Sequence, residues 1–254
     1  MPIAPTVNAF NSYSAAGMRN KQPGCAAEEV HLWRIDLDAS ASALPTFTAT
    51  LAAEELHRAA RFRFPDLGRR WTVARGALRC ILAAYCDARP ESLVLQTEPL
   101  GKPFLTSPSS RISFNLSHSE NLALLAITEG RNIGVDIEFL RPRIDVVELS
   151  RGYLAPAELR HILALPPGEQ TRAFFTCWTR KEAFLKAIGV GLSAPLDSFE
   201  VTLRPGEPAR LISAGSIDPG RWNLIDVSAA GFAAAAAVEG SVRAFKQFNF
   251  DGPM

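Results

Sequence analysis

Two long helical patterns, each followed by a run of short β-branched segments, constrain this chain more than any other feature. In the first, Trp71, Ala74, Leu78, Ile81, Leu82 and Tyr85 recur at three- and four-residue intervals until Pro90, the spacing of an apolar stripe on a helix. A shorter helix is expected ahead of it over residues 51–62, with Glu54 and Glu55 in its first turn and Pro65 closing it. The second block occupies about residues 145–188, interrupted by Pro156 and by Pro166-Pro167-Gly168. Strand candidates lie at residues 30–37, then at 93–97, 112–116, 122–128 and 132–138, and again at 199–203, 221–227, 232–238 and 242–248. The order strand, helices, strands, helices, strands predicts an α+β protein built of two similar halves. With 254 residues to divide, we expect a flexible tail over residues 1–27, a first half over 28–115 and a second over 116–254.

Charge and cysteine usage exclude several functions. Lys and Arg number 27 against 26 Asp and Glu, a net charge of +1, so no global field draws the chain to nucleic acid or to a membrane surface. Cys25, Cys80, Cys86 and Cys177 form no CxxC pair, which reads as reduced structural thiols in a cytosol. The N-terminal residues lack the basic start and apolar run of a secretory signal. The alanine-rich stretch at 231–238 is far shorter than the roughly 20 helical residues that span a bilayer.

Three constellations carry chemistry. In residues 133–138, IGVDIE, alternation puts Ile133, Val135 and Ile137 on one strand face and Asp136 and Glu138 on the other. Two carboxylates side by side suit a hard cation such as Mg²⁺, although an ordinary solvated strand carries the same pattern. On the helix over residues 169–188, Phe174, Cys177, Trp178, Leu185 and Ile188 form an apolar stripe with Lys181 inside it. A lysine on a buried face needs a partner for its ammonium. Trp178, Glu182 and Lys186 line up at i, i+4 and i+8, where Glu182 and Lys186 could equally form the i,i+4 ion pair of any surface helix. Third, Arg58, Arg61, Arg63, Arg69, Arg70, Arg75 and Arg79 face only Asp66 between residues 58 and 79, a candidate site for a small anion.

Two polar turns complete the pattern. Gly101-Lys102-Pro103 combines a glycine open to close approach with a cation, and also reads as a common turn. In residues 114–119, FNLSHS, a strand ends in Ser117, His118 and Ser119. The surroundings of Ser117 are not a G-x-S-x-G elbow and no second histidine completes a relay, which argues against serine-histidine nucleophilic catalysis.

Taken together, VHLW at 30–33, RAARF at 58–62, RGALR at 75–79, GKP, FNLSHS, GVDIE at 134–138, WTRKEAFLK at 178–186 and PLDSF at 195–199 resemble the phosphopantetheinyl transferase superfamily. The length is similar to its double-length, surfactin-synthetase-activating type. The resemblance implies a pseudo-twofold monomer in the cytoplasm. It also implies transfer of the 4′-phosphopantetheine arm of coenzyme A to a serine of an apo acyl, peptidyl or aryl carrier protein, releasing adenosine 3′,5′-bisphosphate. By the same resemblance Asp136, Glu138 and Glu182 are Mg²⁺ ligands, Glu182 is the base for the carrier serine, and Lys186 assists the leaving phosphate. Arg75, Gly101, Lys102, Pro103, Ser117 and His118 are implied to bind coenzyme A, and Lys181 to contact a phosphate or to organise the site, with no nucleic acid or membrane as partner. A phosphate beside His118 favours imidazolium, so coenzyme A binding is expected to weaken above neutral pH, and an unchanged affinity in His118→Ala would count against that contact. A non-catalytic coenzyme A or carrier-binding module is the alternative. Thr179 departs from the Ser or Cys of many members.

Overall fold

The computed structural model describes residues 11–13, 24–38, 43–142, 144–191 and 194–252. Most of the tail expected over residues 1–27 lies outside these, but Asn11–Tyr13 form a strand, β1. The chain divides into two compact units.

The first unit takes in the described residues of Met1–Thr97, Pro103–Gly130 and Arg243–Met254. After β1 come β2 (Glu29–Asp36), α1 (Leu44–Thr50), α2 (Ala53–Ala60), α3 (Pro65–Cys86), β3 (Val94–Thr97), β4 (Pro103–Ser107), β5 (Ile112–Ser119) and β6 (Leu122–Glu129). The second unit, Glu98–Lys102 with Arg131–Val242, holds β7 (Ile133–Phe139), α4 (Val146–Ser150), α5 (Pro156–Leu163), α6 (Pro167–Ile188), β8 (Glu200–Val201), β9 (Leu211–Ser213), β10 (Trp222–Asp226) and β11 (Phe232–Glu239). The chain then returns to the first unit as β12 (Ala244–Phe250).

The expected boundary between residues 115 and 116 would cut β5, which pairs with β6 along its whole length. The units part instead at Gly130 and Arg131, and the last strand belongs to the first unit. Phe245, Phe248 and Phe250 are buried there, on a strand that runs parallel to β2.

In the first unit the sheet order is β1-β12-β2-β6-β5. Trp33 and Ile35 of β2 stand opposite Leu125 and Ala123 of β6, and this face joins Val73, Ala77, Leu78 and Ile81 of α3 in one core. Helix α1 was not anticipated, because Thr-rich LPTFTAT has weak helix propensity. Its Phe47 is buried against Gly76 of α3, where a Cβ would fall 2.6 Å from the Phe47 Cβ.

Pro65, expected to close a helix, opens α3; Pro156 and Pro167 likewise open α5 and α6. At the first helical position the missing N–H has no intrahelical partner to lose, and the fixed φ suits the helix. The second unit has the antiparallel sheet β10-β11-β7, with α6 packed on it. This is the α+β architecture the sequence predicts.

Candidate active site

The site is built where α6 crosses β7. Cross-strand partners share a sheet face, so Gly134, Asp136 and Glu138 lie beside Ala237, Ala235 and Ala233 of β11. That face of small residues is the one α6 covers. A Cβ on Gly134 would stand 2.1 Å from Ala183 O and 2.4 Å from Ala187 N, so helix and strand backbones touch there and only glycine fits. The acid-bearing face is therefore under a helix, not in bulk solvent. Asp136 is buried and Glu138 half-buried.

On α6 Phe174, Cys177, Lys181 and Leu185 of the expected stripe are buried and Ile188 is half-buried, while Trp178, Glu182 and Lys186 form a half-buried line. The indole of Trp178 packs against Tyr153 and Phe174. The Lys186 ammonium reaches across to Asp136 Oδ1 at 2.6 Å. Burial pushes the Glu182 carboxyl up to about 6, with the Asp136 and Glu138 charges adding to the rise and the Lys186 charge opposing it. Its Oε1 is buried without a hydrogen-bond donor among the described residues. Three carboxylates close enough to repel, one with an orphaned oxygen, make a donor set suited to a hard divalent cation. They are not a closed cage: among the described residues no three acidic, His or Cys side chains already meet in metal-ligating geometry.

Of the two roles the resemblance implies for Lys181, its surroundings fit the organiser and not the phosphate contact. Lys181 is fully buried. Its ammonium pairs with Glu158 Oε2 at 2.6 Å and donates to Leu196 O and Phe199 O, both at 2.6 Å. Three short contacts leave no donor for a phosphate, so Lys181 anchors α6 from the side away from the acids. Sequence reasoning missed Glu158. Its signal is position: a glutamate three residues into a proline-opened helix can accept from the preceding backbone N–H, and Glu158 Oε2 does so from Ala155 at 2.8 Å.

The remaining predicted residues are spread over both units. In the second, Gly101 has φ +95, a conformation that favours glycine, and Lys102 donates to Ile133 O and Ala187 O at 3.0 and 3.2 Å. In the first, Pro103 begins β4, while Ser117 is buried and His118 exposed near the end of β5. Arg75 ion-pairs with Glu55, which also takes Arg79 Nε at 2.6 Å. Arg69 and Arg70 pair with Asp38, each at 2.9 Å. Four of the seven clustered arginines thus have carboxylate partners that the local sequence does not contain, and only Arg58, Arg61 and Arg63 are exposed, the first and last each lying over an aromatic ring.

The family model of the 4′-phosphopantetheinyl transferase superfamily matches residues 132–237, and that of the 4′-phosphopantetheinyl transferase N-terminal region matches 37–130. The chain is 43% identical to 4′-phosphopantetheinyl transferase HetI of Nostoc sp. over 203 residues, covering 79% of this chain and 83% of that one. It is 30% identical to 4′-phosphopantetheinyl transferase Sfp of Bacillus subtilis over 158 residues, covering 62% and 68%. A crystal structure of a holo-(acyl-carrier-protein) synthase from Bacillus anthracis in complex with CoA matches with a TM-score of 0.37 and 24% identity, covering 43% of this chain and 96% of that one. The chain belongs to the 4′-phosphopantetheinyl transferase superfamily, in its Sfp-like branch. Its activity is that of a 4′-phosphopantetheinyl transferase. No helix among the described residues is long and apolar enough to cross a membrane.

Proposed function

We propose that this chain, as a cytoplasmic monomer, moves the 4′-phosphopantetheine arm of coenzyme A onto the serine hydroxyl of an apo acyl, peptidyl or aryl carrier protein in a Mg²⁺-dependent reaction. The observation that carries this reading is the cluster of Asp136 and Glu138 of β7 with Glu182 and Lys186 of α6 where the two cross, with the orphaned Glu182 Oε1 and its raised carboxyl. Asp136, Glu138 and Glu182 would hold the cation, which when bound neutralises charge on the pyrophosphate. Glu182 takes the proton from the carrier serine, directly or through water, as the serine oxygen forms its bond to phosphorus. The pyrophosphate P–O bond breaks, and Lys186 offers a proton or its charge to the departing adenosine 3′,5′-bisphosphate. Gly101, Pro103, Ser117 and His118 are the coenzyme A contacts that the resemblance supports. Of the other two residues it implies, Arg75 is paired with Glu55, and the Lys102 ammonium is taken up by the Ile133 and Ala187 carbonyls.

The test mixes the protein with an apo carrier, coenzyme A and Mg²⁺, omits each in turn, and weighs the carrier by mass spectrometry. A metal-dependent gain of one phosphopantetheine unit is expected. Its rate should fall about 10²–10⁴-fold in Asp136→Ala and Glu182→Gln. No gain on several unrelated carriers, with coenzyme A binding retained, would replace this reading with a non-catalytic binding module.

A further inference from the structure

The Lys102 ammonium is bonded inside the second unit, at the point where strand and helix meet. The turn that presents it is fixed by Gly101 N–H to Glu98 O at 2.9 Å and Glu98 N–H to Lys102 O at 2.8 Å. One acceptor, Ile133 O, belongs to the first residue of β7, an edge strand of its sheet. The preceding carbonyl, Asn132 O, accepts from Glu239 of β11. Successive strand carbonyls point to opposite sides, so Ile133 O turns away from β11 and takes the lysine. The other acceptor, Ala187 O, lies in the last turn of α6, where carbonyls lack intrahelical donors and a cation is favoured by the helix dipole. Between the two acceptors lies Gly134, whose Cα is pressed against the α6 backbone. Burial holds the Lys102 ammonium below the usual lysine range, against the raising effect of Glu98.

The same crossing sets the site. Lys186 precedes Ala187, Asp136 stands two residues beyond Gly134, and the 2.6 Å Lys186–Asp136 bridge spans the gap. We propose that Lys102 is a positioning residue: by bridging Ile133 O and Ala187 O it clamps α6 to β7 and sets the separation of Glu182 from the Asp136–Glu138 pair, instead of holding coenzyme A through its charge. The inference rests on the transferase reading of this site and assigns the lysine to its geometry. Because the acids converge from two elements, a small slide of one past the other spreads the donor set while leaving each side chain in place.

The experiment uses the full-length protein and three readouts on Lys102→Met and Lys102→Arg: Mn²⁺ binding by electron paramagnetic resonance, metal-free coenzyme A binding by calorimetry, and kcat and KM for carrier modification. In Lys102→Met, Mn²⁺ binding should weaken about tenfold or more, the usual scale for a residue that orients metal ligands. The kcat should fall with it, while coenzyme A affinity and KM stay at wild-type values. Lys102→Arg, which keeps donors for both carbonyls, should restore Mn²⁺ binding. Lost coenzyme A affinity with Mn²⁺ binding intact would overturn the proposal in favour of a ligand contact. A lowered melting temperature with unchanged Mn²⁺ binding and kcat would reduce Lys102 to a helix cap. If Lys102→Met does not fold, Lys102→Gln, which keeps a single donor group, is judged by the same outcomes. A wild-type chain that modifies no carrier would remove the transferase reading; the Mn²⁺ titration reads the clamp separately.

Discussion

The two units use one internal device and put it to different ends. In each, a 22-residue helix opens with proline and buries a cation fourteen residues later, Arg79 in α3 and Lys181 in α6. In each, that cation meets a glutamate from the preceding short helix, Glu55 or Glu158, which also accepts from a backbone N–H at 2.8 Å. Both cations then donate to two carbonyls beyond the helix: Pro90 and Leu93 for Arg79, Leu196 and Phe199 for Lys181. Burial alone would raise the Glu55 carboxyl, but the Arg75 charge and the hydrogen bonds it accepts outweigh this and hold it below the usual carboxylate range.

What differs is the next residue and the sheet beneath. After Arg79 comes Cys80, in the core; after Lys181 comes Glu182, half-buried. Under α3 lie Trp33, Ile35, Leu125 and Ile127, whereas under α6 lie Gly134, Asp136, Glu138 and alanines. Large apolar side chains make the first helix-on-sheet contact a core. Small residues make the second close enough for acids from two elements to converge.

The comparison can be broken at its anchors, where the largest effects on stability are expected. Lys181→Met strands buried Glu158 and should cost about 3–5 kcal/mol, read from denaturant unfolding, whereas Arg79→Met leaves Glu55 paired with Arg75 and should cost less; a larger loss in Arg79→Met would reverse the ranking of the two anchors. Next come the two tight glycines. Gly76→Ala pushes on a Phe47 side chain and Gly134→Ala on backbone, so each should cost about 1–3 kcal/mol, with Gly134→Ala the worse. Only Gly134→Ala should also lower kcat, and equal loss of turnover in both would end the distinction between core and site.

The smallest effect belongs to the first unit. His31 is buried and bonded to Tyr85 at 2.6 Å. Burial lowers it from 6.5 to about 4, against the partly offsetting Glu29. The folded chain therefore refuses a proton that the unfolded chain accepts. Stability present above pH 6.5 drains away as pH falls towards 4, by about 1–2 kcal/mol between about pH 7 and about pH 5. His31→Gln should flatten that slope in melts taken across the same interval.

Periodicity showed both long helices, and alternation showed which face of β7 carries the acids, because these follow from 3.6- and 2-residue repeats alone. Lys181 announced a buried partner by standing in an apolar stripe, but not which one, since Glu158 reaches it through tertiary packing. The arginine cluster misled for the same reason: Asp38 and Glu55, its neutralising acids, lie outside the counted segment. Prolines were read as breaks because the same residue both ends and begins helices. Nothing in the letter Gly134 distinguishes a flexible link from a backbone pressed against a helix.

Strand β12, inserted between β1 and β2, has a consequence for the order in which the protein is made. Residues 244–250 leave the ribosome after all of the second unit. The first unit, although its chain emerges first, therefore cannot complete its sheet until the second has been synthesised, and the half bearing the acids is free to fold ahead of the half that begins the chain.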